Sequence, residues 1–215
     1  MLERMEDTEA GFPDPRSRDL FRRWLSHVED YLKMFNRGVI TSTSIHETYP
    51  GHYVQFLWVQ SAPSKVRKLL GASSNSEGWA HYCEQMMIDE GYGAGDLKLR
   101  LGQLQDALLR NARYIVGIEM HTGQMTFDQA VNFFATEGYQ THESGLIETK
   151  RGTSDASYLY YTLGKLQILK LRADLEKKEG ANFSLQQFHD NFLKQGFPPI
   201  KIVRRALMGD DSPTL

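Results

Sequence analysis

The chain has 215 residues, 40% of them hydrophobic and 24% charged, which suits one domain with a core of its own. A net charge of −2 implies neither a nucleic-acid partner nor an anionic membrane surface. One cysteine, Cys83, rules out a disulfide framework within the chain, and no apolar run approaches the roughly 18 residues of a membrane span.

Residues 1–19 are polar, carry Pro13 and Pro15, lack an apolar signal core and read as a loose lead-in. Phe21, Trp24, Leu25, Val28, Tyr31, Leu32 and Phe35 recur at helical spacing, predicting an amphipathic helix that ends near Gly38. The β-branched stretch VITSTSI at 39–45 suggests one short extended segment. After Gly51, HYVQFLWVQ predicts a buried helix stopped by Pro63, and Ser74 and Ser76 offer a start for the helix EGWAHYCEQMMIDEG. Residues 97–121 predict a long helix. Thr126 opens a capping box, T-F-D-Q, for a helix through Ala135. Residues 138–156 are mixed polar with Gly and Thr and read as a loop or short helix. A further helix covers 157–178, and S-L-Q-Q at Ser184 caps another through Leu193. Gly196 and Pro198-Pro199 precede a last short helix carrying Val203 to Leu207. The expected fold class is mainly α: a single helical domain of about seven helices over 20–208, with a tail at 209–215.

The segment Ile45-His46-Glu47-Thr48-Tyr49-Pro50-Gly51-His52 concentrates metal-ligating groups. In the usual zinc-peptidase motif, two His four residues apart share one helix face and a Glu follows the first. Here the separation is six, which an ideal helix turns into about 240°, so the rings would face apart. Pro50-Gly51 sits where a π-bulge or a break could turn His52 back toward His46, because proline interrupts the hydrogen-bond ladder and glycine accepts unusual dihedrals. Neutral imidazoles ligate zinc, and zinc leaves a position for water and lowers that water's pKa. Glu47, beside a ligand, is placed to take the proton. A surface loop with two His and a Glu is the plainer alternative.

Ser76-Glu77-Gly78-Trp79-Ala80-His81-Tyr82-Cys83-Glu84 supplies a third ligand. Glu77, His81 and Glu84 share one helical stripe, on a helix whose Trp79, Tyr82, Met86 and Met87 look like core. A polar stripe on a buried helix needs partners, and a metal held by the first segment would be one. The plainer readings differ by residue. Ser74-Asn75-Ser76-Glu77 fits a capping box with Glu77 at N3. Glu84 fits an acceptor that orients a ligand His, a solvated residue, or a competitor of Glu77. His81 fits a hydrogen-bonded core or surface His.

HETYPGHYVQ followed by SEGWAHYCEQ resembles the bacterial family known as domain of unknown function 885. The likeness continues through NARYIVGIEMHTGQMTFDQA, RGTSDASYLYYTLGKLQILKLR and FSLQQFHDNFLKQGFPPI, spanning roughly residues 40–208. That family is mainly α-helical and is grouped with gluzincin-type zinc metallopeptidases. The resemblance implies a zincin-like site between two helices, with His46 and His52 as ligands of Zn2+ and Glu47 as general base. SEGWA is similar to the segment by which aminopeptidase N-like enzymes supply a glutamate ligand, which favours Glu77. Members are typically much longer, with these motifs toward the C-terminal part, so the chain resembles a C-terminal portion or a truncated member.

A gluzincin-type reaction also needs a donor for the tetrahedral oxyanion and, if it trims C-termini, a cation for a carboxylate. His121, in EMHTG, and Tyr161, in YTLG, match family motifs and are the candidates for catalysis beside Glu47. Tyr160, Arg113 and Arg151 are further candidates, the arginines reading more simply as salt-bridge or surface residues, and Phe188-His189-Asp190 as an amphipathic helix face. The expected function is zinc-dependent hydrolysis of short peptides. The alternative is a non-catalytic metal- or peptide-binding helical domain. A carboxylate–histidine oxidase site using Glu77, His81 and Glu84 ranks last, because such sites pair Glu-x-x-His motifs that are missing here. A peptide is the expected partner, with a homodimer left open. The chain as given reads as soluble and cytoplasmic, with export open for a longer parent protein.

Overall fold

The computed structural model describes residues 14–215. Among the described residues there is no strand; ten helices of eight residues or more and one five-residue helix make up the chain, against about seven expected. In chain order they are α1 (Pro15–Leu32), α2 (Arg37–Glu47), α3 (His52–Val59), α4 (Lys65–Leu69), α5 (Ser73–Asp89), α6 (Leu97–His121), α7 (Phe127–Thr136), α8 (His142–Ser154), α9 (Tyr160–Glu179), α10 (Leu185–Leu193) and α11 (Ile200–Met208). No helix among the described residues is long and apolar enough to cross a membrane.

The helix starts follow local chemistry. Asp14 caps α1 by accepting from the Arg16 and Ser17 amides, and Pro15 fills the first position, where its missing N–H is no loss. The expected lead-in is therefore already helical from Pro15; its first 13 residues lie outside the described part. The α1 helix stops at Leu32, short of Gly38, because Asn36 caps a new helix through its bond to the Val39 amide. That new helix, α2, replaces the extended segment expected at 39–45. The β-branched penalty is only tenths of a kcal/mol per residue, and the hydroxyls of Thr41, Ser44 and Thr48 donate to carbonyls four residues back. Burial of Val39, Ser42, Ile45 and His46 against α5 and α6 decides the outcome. Thr126 forms the full capping box expected of it, and Thr141 caps α8 where a loop or short helix was expected.

Helix α5 is the centre of the larger core. It runs along α9, and their axes close in where Gly78 meets Gly164: a Cβ on Gly164 would lie 1.8 Å from the Ser74 carbonyl oxygen. Trp79, Tyr82 and Met86 of α5 pack with Ile168 and Leu171 of α9, Phe188 and Phe192 of α10, and Ile200 and Val203 of α11. The Trp79 and Phe192 rings stack at 5.3 Å. A second, smaller core joins α6 and α7 through Ala112, Val116, Ala130 and Phe134, closed by Tyr158. Helices α1, α2, α6, α8 and α9 contribute the side chains of one cleft.

Candidate metal centre

The break between α2 and α3 solves the spacing of the two histidines. Helix α2 ends at Glu47, the chain turns through Thr48 to Gly51 with a cis Tyr49–Pro50 bond, and α3 restarts at His52. The Gly51 amide donates to the Ile45 carbonyl at 3.1 Å, folding the turn back on α2. A Cβ on Gly51 would lie 1.9 Å from the His46 carbonyl oxygen, so this fold-back excludes every other residue. The Trp79 indole N–H donates to the Pro50 carbonyl at 3.0 Å, tying the turn to α5. The distortion expected at Pro50-Gly51 is a full helix break, not a π-bulge.

As a result the His46 and His52 rings lie 4.7 Å apart, nearly perpendicular, and both point at Glu77. His46 Nε2 and His52 Nε2 are each 3.3 Å from Glu77 Oε2. His46, His52 and Glu77 form a group of ligand atoms all within 4.8 Å of one another. Glu77 is not a capping residue: α5 starts at Ser73 after Ala72, with no side-chain cap, which carries Glu77 past the first turn and onto the face toward His46. Burial alone would raise the Glu77 pKa, yet the two imidazoles beside it bring it down to about 2.

Behind this cluster stands a buried charge network. Glu84, fully buried, takes His46 Nδ1 at 2.7 Å, His81 Nδ1 at 3.0 Å and Arg110 Nη2 at 2.8 Å. Desolvation works against its charge, but Arg110 and the two histidines hold its carboxyl well below the usual range. Burial lowers the His81 pKa from its ordinary 6.5 to about 4, so it is neutral at pH 7. Glu84 therefore fixes the orientation of His46 through Nδ1 and leaves Nε2 for the cluster, the carboxylate–histidine arrangement found behind metal ligands. With its oxygens committed to three partners, Glu84 is not a competitor of Glu77, and His81 faces Glu84 rather than the cluster. His52 has no such orienting partner; its Nδ1 is buried with no hydrogen bond among the described residues.

On its His46 side the cluster borders a cleft of about 250 Å³. Glu47, Asp106, Arg110, Arg113, Arg151 and Tyr161 line it. Glu47 is exposed there. The Tyr161 ring lies 6.4 Å from His46, beneath the Arg110 and Arg113 guanidiniums at 5.7 and 5.2 Å. Its hydroxyl accepts from Arg151 Nη2 at 3.1 Å. Arg113 is a salt-bridge residue, bound to Glu148 by two hydrogen bonds of 2.7 Å. The Tyr160 hydroxyl donates to Asp155. His121 does not reach the cleft. It ends α6, eight residues or about 12 Å beyond Arg113, and bonds the Gly152 carbonyl at 2.9 Å. His189 packs against Trp79 and bonds the Tyr82 hydroxyl at 2.8 Å, apart from the cluster. Asp106 and Arg110, four residues apart on α6, are not marked by any motif; the signal is a run of polar residues at helical spacing, Gln103, Asp106, Arg110 and Arg113, on the buried face of α6.

An all-α domain with two histidines and a glutamate gathered beside a polar cleft is the class these features define. The chain belongs to the family described as bacterial protein of unknown function (DUF885), whose model matches residues 7–207. No curated protein matches the chain. Among solved structures it is similar to a protein from Shewanella oneidensis described as a lipoprotein of unknown function, at 31% identity and a TM-score of 0.78 over 84% of this chain and 33% of that one. It is also similar to a protein from Colwellia psychrerythraea described as a lipoprotein, at 28% identity and a TM-score of 0.77 over 80% of this chain and 30% of that one. The chain thus spans about a third of the length of these relatives.

Proposed function

We propose that the domain is the metal-binding part of a zinc-dependent peptidase, with His46, His52 and Glu77 as ligands and Glu47 as general base. The observation that carries the reading is the pair of 3.3 Å separations from Glu77 Oε2 to the two Nε2 atoms. A charge-assisted N–H···O− bond closes to about 2.7–2.9 Å, whereas the edge of a tetrahedron with zinc bonds of about 2.0–2.1 Å is about 3.3–3.4 Å. Two imidazoles and one carboxylate are also the donor set of a catalytic zinc site, in which a fourth position stays open. When bound, zinc supplies Lewis acidity and brings the pKa of a water toward neutrality.

The chain's own residues then divide the work. Glu84 holds His46 in one tautomer and orientation. Glu47, exposed in the cleft next to a ligand, accepts a proton from water and returns it to the leaving amine. The Tyr161 hydroxyl, accepting from Arg151, is polarised to donate to the negative oxygen that develops on the scissile carbonyl. The lipoprotein description of the two relatives fits export of a longer parent protein.

The test is zinc stoichiometry of the purified protein together with hydrolysis of a peptide library by wild type and Glu47→Gln. Retained zinc with a rate lowered about 10²- to 10⁴-fold is expected; hydrolysis indifferent to the substitution removes the mechanism. Zinc at full occupancy without turnover of any peptide favours the second reading, a non-catalytic metal- or peptide-binding domain, which draws on the chain spanning a third of its relatives.

A further inference from the structure

The charges around the cleft do not balance. Glu84 is committed to Arg110 and two histidines. Glu148 is committed to Arg113 through both oxygens, and it also accepts the Tyr158 hydroxyl. Arg151, three residues beyond Glu148 on α8, is left without a carboxylate within ion-pair distance among the described residues, although it lines the same cleft. One of its five N–H donors goes to the Tyr161 hydroxyl, and its guanidinium lies 5.3 Å from the Tyr158 ring, which holds it in place. A planar, oriented guanidinium with most of its donors free, next to a second guanidinium, is built to receive a planar anion two-handed.

We infer that Arg151 binds the terminal α-carboxylate of a peptide, so that the domain acts on free C-termini and removes one or two residues at a time. The inference rests on the peptidase reading above and names its substrate class. Its measure comes from Tyr161: the hydroxyl that faces the developing oxyanion is 3.1 Å from the Arg151 nitrogen. With one hydrogen bond of about 2.9 Å on either side, the scissile oxygen and the terminal carboxylate are within about 9 Å of each other. An extended chain covers that span in one or two residues at about 3.3–3.6 Å each. A longer leaving fragment would carry its carboxylate past Arg151.

Two measurements test this separately from the peptidase reading. The first is binding. Zinc-loaded protein carrying Glu47→Gln, which keeps ligands from being consumed, is titrated with an N-acetyl dipeptide as the free acid and as its C-terminal amide. The acid is expected to bind about 10- to 100-fold tighter, the range of a hydrogen-bonded charge pair. Adding Arg151→Met should bring that ratio to about one, while Arg151→Lys, which keeps the charge but not the fork, should retain part of it; thermal melts verify that each variant is folded. The second is turnover of matched acid and amide peptides by the protein with Glu47 intact, read by mass spectrometry, where fragments of one or two C-terminal residues from the acid alone are expected. Acid-selective binding without turnover keeps the ligand class and sinks the peptidase reading. Equal affinity for acid and amide, no binding of either, a ratio that survives Arg151→Met, or cleavage of internal bonds in amidated peptides overturns the inference, the last of these while leaving the peptidase intact.

Discussion

Behind the His46 wall of the cleft, buried Glu84 of α5 stands between His46, His81 and Arg110, and every one of its contacts is out of water. On the α8–α9 wall, Glu148 stands between Arg113 and Tyr158 and has nothing left for Arg151. Both walls are made of carboxylates, guanidiniums and rings, yet the first has more partners than its carboxylate can release and the second has one cation too many. A saturated network positions a side chain; an unsaturated one attracts a ligand. The two walls therefore have different tasks, and substitutions that break each carboxylate's pairing should produce different symptoms.

The largest effect belongs to the saturated wall. Glu84→Ala leaves Arg110 charged in a buried site and frees two histidine rings. Removing one member of a buried ion pair costs about 3–5 kcal/mol, and urea denaturation of the metal-free protein should register a loss of that size. Zinc affinity should fall as well, because His46 loses the acceptor that orients it. A loss under about 1 kcal/mol would mean that the network is not the positioning device described.

Arg113→Met probes the other wall. It removes both hydrogen bonds to Glu148, for an expected loss of about 2–3 kcal/mol in the same denaturation experiment. It also releases Glu148 to Arg151, one turn away on α8. The acid-over-amide preference should therefore fall even though Arg151 is intact. If stability drops while the preference stays, Arg151 is not balanced against Arg113 in the way the charges suggest.

The legibility of these features in the sequence differs by kind. That His46, His52 and Glu77 come together was readable because residue types suited to metals are few and occur in short motifs, and the awkward six-residue spacing pointed to the turn at Pro50-Gly51 where the helix does break. Most helices were readable from apolar periodicity and caps, α6 to its terminal residues. The helix α2 was not, because VITSTSI carries β-branched residues whose hydroxyls satisfy their own helix, and that becomes visible only with the packing. Glu77 reads as a cap because Ser74-Asn75-Ser76-Glu77 has the right spacing; the helix begins earlier, at Ser73, and moves it off that position. Arg151 reads as a surface or paired residue because Glu148 precedes it by three. Only the fold reveals that Arg113, from another helix, takes that carboxylate. His121 lies in a motif of the right composition at the wrong end of a 25-residue helix.

The smallest expected effect has the opposite sign and concerns Asp106, beside Arg110 but outside the set of contacts that Glu84 saturates. Its Oδ2 is buried with no hydrogen-bond partner among the described residues, and Arg110 Nη1 is 4.0 Å from Oδ1. Burial raises its pKa, Arg110 opposes the shift, the Glu84 charge adds to it, and the carboxyl ends at about 6 against an ordinary 3.8. A folded-state pKa above the unfolded one means that the native protein binds the proton more tightly. The stability this contributes is fully present below pH 3.8 and is lost as pH rises through about 6. Above that the ionised group is a burden on the fold. Asp106→Asn removes the charge and keeps the shape, though the amide has donors of its own to satisfy. The expected gain is therefore about 1–2 kcal/mol at pH 7.5, under the limit set by about 1.4 kcal/mol per pKa unit, fading to nothing near pH 4. Thermal melts of the metal-free pair across that range separate this from a general packing effect, which would be constant with pH. A destabilised Asn variant at pH 7.5 would mean that Asp106 is a partner Arg110 needs, and the wall would then hold two working carboxylates instead of one.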